Sequence, residues 1–144
     1  MKYSVERTLN LPRAHVVALF EDRDALFQLQ EGLQSFEHVS GQPGQPGAVS
    51  RLHFKMGKRE IVMTETIQKR ALPRVFSGVY EADGVWNLVE NHFTETRDGR
   101  THWRIDTEFR CKGFMRVVAF LMHGMFKKQT AKYMDMFKNF AESR

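Results

Sequence analysis

The fold is decided by the C-terminal stretch GFMRVVAFLMHGMFKKQTAKYMDMFKNFAESR, residues 113–144. At the period of an α-helix, this stretch has a broad apolar arc formed by Met115, Val118, Met122, Met125, Phe126, Tyr133, Met136, Phe137 and Phe140. The opposite side is mainly charged or polar. Most of the preceding chain has the pattern of strands, so the sequence predicts a sheet wrapped around one long C-terminal helix.

Upstream of this helix, the pattern is that of a strand, two short helices and a series of hairpins. Tyr3 to Leu11 is strand-like, Pro12 opens a helical stretch, and Asp22 or Asp24 can cap a second short helix. Two-residue turn signatures separate the later strands at Gly57-Lys58, Asp83-Gly84 and Asp98-Gly99. The predicted class is α+β, a single domain over residues 1–144. Its curved antiparallel sheet of about seven strands grips the long C-terminal helix, and two short helices follow the first strand.

Length and cysteine content limit the classes of protein. A chain of 144 residues is long enough for a core and a cavity. Its single cysteine, Cys111, excludes an internal disulfide and a cysteine-based zinc cluster, and a packing role is favoured for it over a reactive one. The apolar stretch from Phe114 to Phe126 is interrupted by Arg116 and His123 and is too short to span a bilayer. We therefore expect a soluble protein located in the cytoplasm.

The net charge of +5 raises nucleic acid and anionic membranes as partners. Most basic residues alternate with acids, as in Lys58-Arg59-Glu60, which disfavours nucleic acid. The final helix has the strongest concentration of cations, and a solvated helix face explains it most simply. The first half of that helix is apolar on nearly all sides, so peripheral membrane contact and a homodimer stay open.

The chain resembles the START-like superfamily, also called SRPBCC or helix-grip, and especially its polyketide cyclase/dehydrase-like branch. The resemblance spans nearly the whole chain and is carried by LPRAHVVALF (11–20), GAVSRL (47–52), FMRVVA (114–119) and KKQT (127–130). These are patterns of shape and include no catalytic motif. The resemblance implies a cavity between sheet and helix that takes a small apolar molecule, such as a lipid, polyketide or quinone-like compound. No cofactor is expected.

Strand pairing predicts which side chains face that cavity. A two-residue turn at Asp98-Gly99 pairs Thr94 with Trp103 and Glu90 with Thr107, which turns Glu90 and His92 inward. At Asp83-Gly84, a one-residue slip would turn Phe76 and Tyr80 inward instead of Ser77. The predicted ligand-binding residues are Glu65, Ser77, Glu90, His92, Trp103, Thr107, Met122, Phe126 and Gln129.

An inward Glu90 needs a partner, because burying an unpaired carboxylate is costly. Two interpretations stay open: Glu90 and His92 satisfy each other at the cavity mouth, or they move a proton in an aldol cyclisation or dehydration. They are weak catalytic candidates for a cyclase or dehydratase. The six histidines form no close pair of the HxH or HExxH type, so no metal site is predicted.

We therefore favour a binder or carrier of a small hydrophobic molecule over an enzyme. The alternative is a protein-, RNA- or membrane-interaction module that acts through the basic, apolar C-terminal helix. Gly124 lies inside that helix, where a glycine costs about 1 kcal/mol relative to alanine and can permit a bend.

Overall fold

The structure, a computed structural model, describes residues 1–143 apart from the side chain of His123. Its elements are β1 (Lys2–Leu9), α1 (Arg13–Phe20), α2 (Arg23–Leu29), β2 (Leu33–Ser40), β3 (Val49–Met56), β4 (Arg59–Ala71), β5 (Val75–Ala82), β6 (Val85–Glu95), β7 (Thr101–Cys111) and α3 (Phe114–Glu142). The predicted α+β class is confirmed, with its seven strands, two short helices after the first strand, and long C-terminal helix.

The seven strands form one antiparallel sheet in the order β1-β7-β6-β5-β4-β3-β2. Consecutive strands from β2 to β7 are neighbours, and β1 pairs with β7. Two of the predicted two-residue turns are confirmed, because Met56 pairs with Arg59 and Ala82 pairs with Val85. Gly57 and Gly84 have positive φ angles of 63° and 75°, which such tight turns require of at least one residue.

The predicted register of β6 and β7 is wrong by one residue. Glu95 pairs with Thr101, so the connection contains the five residues 96–100 instead of two. Within it, the N–H of Thr96 donates to the carbonyl of Arg100 at 2.9 Å, and the N–H of Gly99 donates to the carbonyl of Thr96 at 3.2 Å. This hydrogen-bonded loop has an odd number of residues, and the change reverses the predicted facing of β6 relative to β7.

The faces of the sheet follow from this register. The ring of Phe109 stacks on that of Phe126 in α3 with centroids 4.9 Å apart, so Phe109 faces the helix. Its cross-strand partner is Asn87, which places the odd-numbered residues of β6 on the same inner face. Glu90 and His92 therefore lie on the outer face, and the prediction that they point inward is wrong.

Local signals place the helix starts. The carbonyl of Pro12 accepts hydrogen bonds from the N–H groups of His15 and Val16 at 3.1 Å, and α1 begins immediately afterwards. The side chain of Asp22 accepts from the N–H of Asp24 at 2.9 Å, so Asp22 is the cap of α2. Gly113 precedes α3 with a φ of 58°, a conformation that favours glycine.

The main core lies between β1, β6 and β7 on one side and α1, α2 and the second half of α3 on the other. At its centre is Trp103, which is fully buried. Its ring centroid lies 5.0 Å from that of Phe137 and 5.9 Å from those of Phe93 and Tyr133. The indole N–H donates to the side-chain oxygen of Asn91 at 3.1 Å. This aromatic cluster fixes α3 against β7.

A break at Met122 divides α3 into a shorter N-terminal segment and a longer C-terminal segment. Met122 has non-helical angles, φ −115° and ψ 15°, two residues before Gly124. After the break, Met134 is completely buried although it lies outside the predicted apolar arc. Met125 belongs to that arc but is 51% exposed. The break interrupts the regular helical repeat, so the arc does not continue as one straight stripe.

We predict that Phe137→Ala lowers the free energy of unfolding by about 3–5 kcal/mol, since it opens a cavity beside Trp103. The matched control is Phe114→Ala on the same helix, where the side chain is 77% exposed. The control should change stability by roughly 0.5 kcal/mol or less. Urea denaturation of both variants measures the difference, and equal losses would contradict the assigned core.

Candidate functional site

A row of polar side chains crosses the inner face of the sheet. The cross-strand pairs Ser50–Glu65, Glu65–Tyr80 and Tyr80–Asn87 place four residues side by side on β3, β4, β5 and β6. We call Ser50, Glu65, Tyr80 and Asn87 the polar rung. Ser50 and Asn87 are buried, whereas Glu65 and Tyr80 are half-buried. The polar rung is therefore a strip of hydrogen-bonding groups on an otherwise mainly apolar inner face.

The centre of the polar rung is a hydrogen bond between Tyr80 and Glu65. The tyrosine hydroxyl donates to a carboxylate oxygen of Glu65 at 2.7 Å. Burial raises the pKa of Glu65, and the hydrogen bond from Tyr80 partly opposes that increase. The pKa of Tyr80 is raised well above its usual value, first by burial and then by the charge and hydrogen bond of Glu65. The pair can thus hold or exchange a proton with a molecule bound beside it.

The helices contribute Tyr133 and Gln30 to this site. Tyr133 in α3 lies near enough to Tyr80 to contribute to the raised pKa of that hydroxyl. Its own pKa is raised to about 12 by burial, and a side-chain hydrogen bond with Gln30 opposes the increase. Gln30 follows the last residue of α2. The sheet, α2 and α3 therefore converge on the polar rung.

An apolar groove of about 450 Å³ lies between the first half of α3 and the end of β7. It is lined by Met1, Phe109, Cys111, Arg116, Ala119 and Phe120. Phe109 connects the two features, because it is the cross-strand partner of Asn87. On the far side, the inward residues Phe54, Ile61 and Met63 remain only half-buried. The inner face therefore offers apolar surface on both sides of the polar rung.

Three of the predicted ligand-binding residues, Glu65, Thr107 and Trp103, lie on the inner face of the sheet. Glu65 is inward, as predicted, and belongs to the polar rung. Thr107 and Trp103 also face inward; Thr107 pairs with Tyr3, and Trp103 is part of the packed core. Their contact with a ligand stays a prediction.

Ser77 pairs with Glu90, as expected from the Asp83-Gly84 turn, but this pair lies on the outer face. Its hydroxyl donates to the side-chain oxygen of Gln68 at 3.2 Å. Gln68 is the extra residue at a register shift between β4 and β5. The inward placement of Ser77 is therefore wrong, and its strand neighbours Phe76 and Tyr80 face inward, which was the alternative considered for this strand.

The predicted ligand-binding residues of α3 differ in their burial. Phe126 faces the sheet, and its carbonyl accepts a hydrogen bond from the hydroxyl of Tyr3 at 3.1 Å. Met122 is half-buried and marks the break in α3. Gln129 is exposed. The predicted contacts of Met122, Phe126 and Gln129 with a ligand stay predictions.

Glu90 and His92 belong to a charged surface on the outer face. A ring nitrogen of His92 lies 3.3 Å from a carboxylate oxygen of Asp106, so its partner is Asp106 and not Glu90. Asp106 also accepts from Ser4 at 2.6 Å and lies 3.2 Å from Arg104. Glu90 lines a separate depression of about 390 Å³ on this face. These groups form a surface network away from the polar rung.

The predicted ligand-binding set lacks five residues of the site: Ser50, Tyr80 and Asn87 of the polar rung, and Tyr133 and Gln30 from the helices. Tyr133 lies on the predicted apolar arc of α3, and Tyr80 was considered only as the result of a slip. A tyrosine opposite an inward glutamate across two paired strands is the signal that could have identified Tyr80. Gln30 has no comparable signal, because it reaches the site only through the packing of α2 against α3.

No group of three or more His, Cys, Asp or Glu side chains within the described part of the chain is arranged to hold a metal ion. No helix in residues 1–143 is long and apolar enough to cross a membrane.

Comparison with solved structures identifies the fold. The structure is similar to Ara h 8.0201 with a TM-score of 0.79 and 16% identity over 100% of this chain and 99% of that one. A conserved protein from Geobacillus kaustophilus has a TM-score of 0.82 and 12% identity over 99% and 96%. Zhui aromatase/cyclase from Streptomyces sp. R1128 has a TM-score of 0.74 and 15% identity over 100% and 94%. The predicted START-like, polyketide cyclase-like fold is confirmed.

The sequence itself matches no family model and no curated protein. At the identities of the structural neighbours, the similarity establishes the fold alone.

We predict a specific pH dependence from Glu65. Because burial raises its pKa in the folded protein, the stability it contributes is fully present below the usual value of 4.5 and is lost as pH rises through the raised value. Glu65→Gln removes this loss, so the variant should gain stability relative to wild type as the pH becomes neutral. Urea denaturation across this pH range measures the difference.

Tyr80→Phe supplies the matched test, because it removes the hydrogen bond that lowers the pKa of Glu65. In this variant the loss of stability with rising pH should extend to higher pH than in wild type. Parallel stability curves for all three proteins would refute the assignment.

Proposed function

We propose that the protein binds a small hydrophobic molecule of the lipid, polyketide or quinone-like class between the sheet and α3. The observation that carries this proposal is the Tyr80–Glu65 hydrogen bond, which lies on a mainly apolar inner face. A groove of about 450 Å³ is lined by Phe109, two strands away from Tyr80 on the same face. Mainly apolar walls with a few convergent polar groups are the usual composition of a small-molecule site. The similarity to an aromatase/cyclase supports a ligand-binding use of this fold.

In this proposal, the apolar body of the ligand occupies the groove beside Phe109 and Ala119. Its polar group reaches the Tyr80–Glu65 pair, where the carboxyl group accepts a hydrogen bond when ionised and donates one when protonated. Because the pKa of Glu65 is raised, its carboxyl group titrates closer to neutral pH than that of an exposed glutamate. A hydroxyl or carbonyl group on the ligand meets this requirement.

A second candidate function is cyclase or dehydratase activity. The Tyr80–Glu65 pair is a better candidate for its catalytic residues than Glu90 and His92, which lie on the outer face. A buried carboxyl with a raised pKa, hydrogen-bonded to a tyrosine hydroxyl, is a suitable proton donor or acceptor for an aldol cyclisation or a dehydration. In that case Glu65→Gln should abolish turnover, while ligand binding persists at reduced affinity. If the wild-type protein binds the molecule without turnover, the enzyme function is excluded and the carrier function remains.

The first experiment is native mass spectrometry of the gently purified protein, followed by denaturing extraction. We expect an apolar molecule at a stoichiometry of one per chain. Once identified, that molecule can be titrated into ligand-free protein. Tyr80→Phe and Glu65→Gln should each weaken its binding by roughly fivefold to tenfold, as expected for loss of one hydrogen bond.

The matched control is Glu90→Gln, which changes a glutamate on the outer face in the same way. Its affinity should equal that of wild type. A ligand whose binding responds to Glu90→Gln but not to Glu65→Gln would place the site on the wrong face and overturn the proposal.

A further inference from the structure

The first half of α3 carries several large apolar side chains that are exposed. We call Phe114, Val117, Phe120, Leu121 and Met125 the exposed stripe. Their exposed fractions are 77%, 52%, 78%, 73% and 51%. The residues that alternate with them, such as Met115 and Val118, are half-buried towards the sheet. This segment thus combines half-buried apolar side chains with exposed ones.

The exposed stripe differs from the other exposed apolar residues of the protein. Elsewhere on the described surface, large exposed hydrophobic residues are spread over different elements, including Phe27 in α2, Val39 in β2 and Val62 in β4. Scattered residues of this kind are ordinary. Five within twelve residues of one helix form a patch, and contiguous apolar patches mark interaction surfaces.

The charge around the exposed stripe is one-sided. Residues 112–134 contain five cations, Lys112, Arg116, Lys127, Lys128 and Lys132, and no aspartate or glutamate. Lys132 lies 3.4 Å from Glu31 in α2, whereas the two lysines at 127 and 128 are exposed directly after the stripe. Asp83 is in the turn that packs against the start of α3, but the cations outnumber it. The partner should therefore be apolar at its centre and negatively charged at its edge.

We infer that the first half of α3 docks on an anionic lipid bilayer. Phenylalanine, leucine and valine side chains flanked by lysine and arginine are the composition of a helix that lies in the membrane interface. The apolar side chains would enter the boundary between headgroups and acyl chains, and the cations would contact the anionic headgroups. No described helix is long and apolar enough to span the membrane, which agrees with docking at the interface.

Charge and shape favour this occupant over two others. A symmetric dimer would place the same patch against itself and bring the cations of both copies together, which is unfavourable. Nucleic acid would neutralise the cations but leave the exposed stripe in water, because phosphate binding uses no apolar surface. A bilayer satisfies both the apolar and the charged part of the surface.

Docking in this orientation would also bring the apolar groove to the lipid surface. Arg116, Ala119 and Phe120 of the groove belong to the same half of α3. The bilayer inference does not depend on the proposed ligand, since it rests on exposure and charge alone.

The test is flotation of the full-length protein with phosphatidylcholine vesicles that contain phosphatidylglycerol, compared with vesicles of phosphatidylcholine alone. We expect binding to the anionic vesicles that falls with added salt. The double substitution Lys127→Glu with Lys128→Glu should reduce the partition coefficient by about tenfold or more. Val117→Ser with Leu121→Ser should reduce it by a similar factor.

Matched controls separate the helix from general surface properties. Lys58→Glu in the β3–β4 turn and Val62→Ser on the outer sheet face change an exposed cation and an exposed apolar residue elsewhere. Both should bind like wild type. Thermal unfolding of each variant checks that the fold is retained, as expected for exposed positions.

A direct readout uses Leu121→Trp, with Val62→Trp as its control. The fluorescence of the introduced tryptophan should shift to shorter wavelength with anionic vesicles only at position 121. Equal binding to both vesicle types, unchanged binding of the helix variants, or binding of RNA or an acidic protein in place of the vesicles would each overturn the inference.

Discussion

The packing of Trp103 against the second half of α3 is the interaction on which the rest of the structure depends. Trp103 is completely buried, contacts Phe137 and Tyr133 from the helix, and is fixed in orientation by the hydrogen bond to Asn91. This cluster anchors α3 over β1 and β7. Among the inner side chains of β3 and β4, Phe54, Ile61 and Met63 stay partly accessible. This accessible inner surface agrees with an off-centre anchor, since a close-packed interior leaves few voids of its own.

The two faces of the sheet treat charge differently. On the outer face, Asp106 has His92, Arg104 and Ser4 as partners, so its charge is compensated in a solvated environment. On the inner face, Glu65 has the hydroxyl of Tyr80 as its hydrogen-bond partner in the described part of the chain, and burial raises its pKa. A partly satisfied polar pair on apolar surface has hydrogen-bonding capacity left for a bound molecule. That difference, more than the presence of acidic residues, distinguishes the candidate site from the charged outer surface.

Much of the fold could be predicted because its signals are local. The long amphipathic segment, Pro12 before α1 and Asp22 before α2 each act through neighbouring residues. The two-residue turn at Gly57-Lys58 sets the β3–β4 register, and with it the pairing of Glu65 with Ser50. One member of the polar rung was therefore recognised as inward from the sequence.

What the sequence by itself determined is the order and type of the elements, the START-like shape and the inward position of Glu65. The tertiary structure alone decided that Tyr80 joins Glu65, that Glu90 and His92 face outward, and that α3 breaks at Met122. The physical reason is the two-residue period of a strand. The 96–100 loop has an odd number of residues where a two-residue turn was predicted, and this one-residue change of register reverses the facing of one strand against the next. The preference between the two turn lengths is settled by hydrogen bonds and packing that form only when the strands meet.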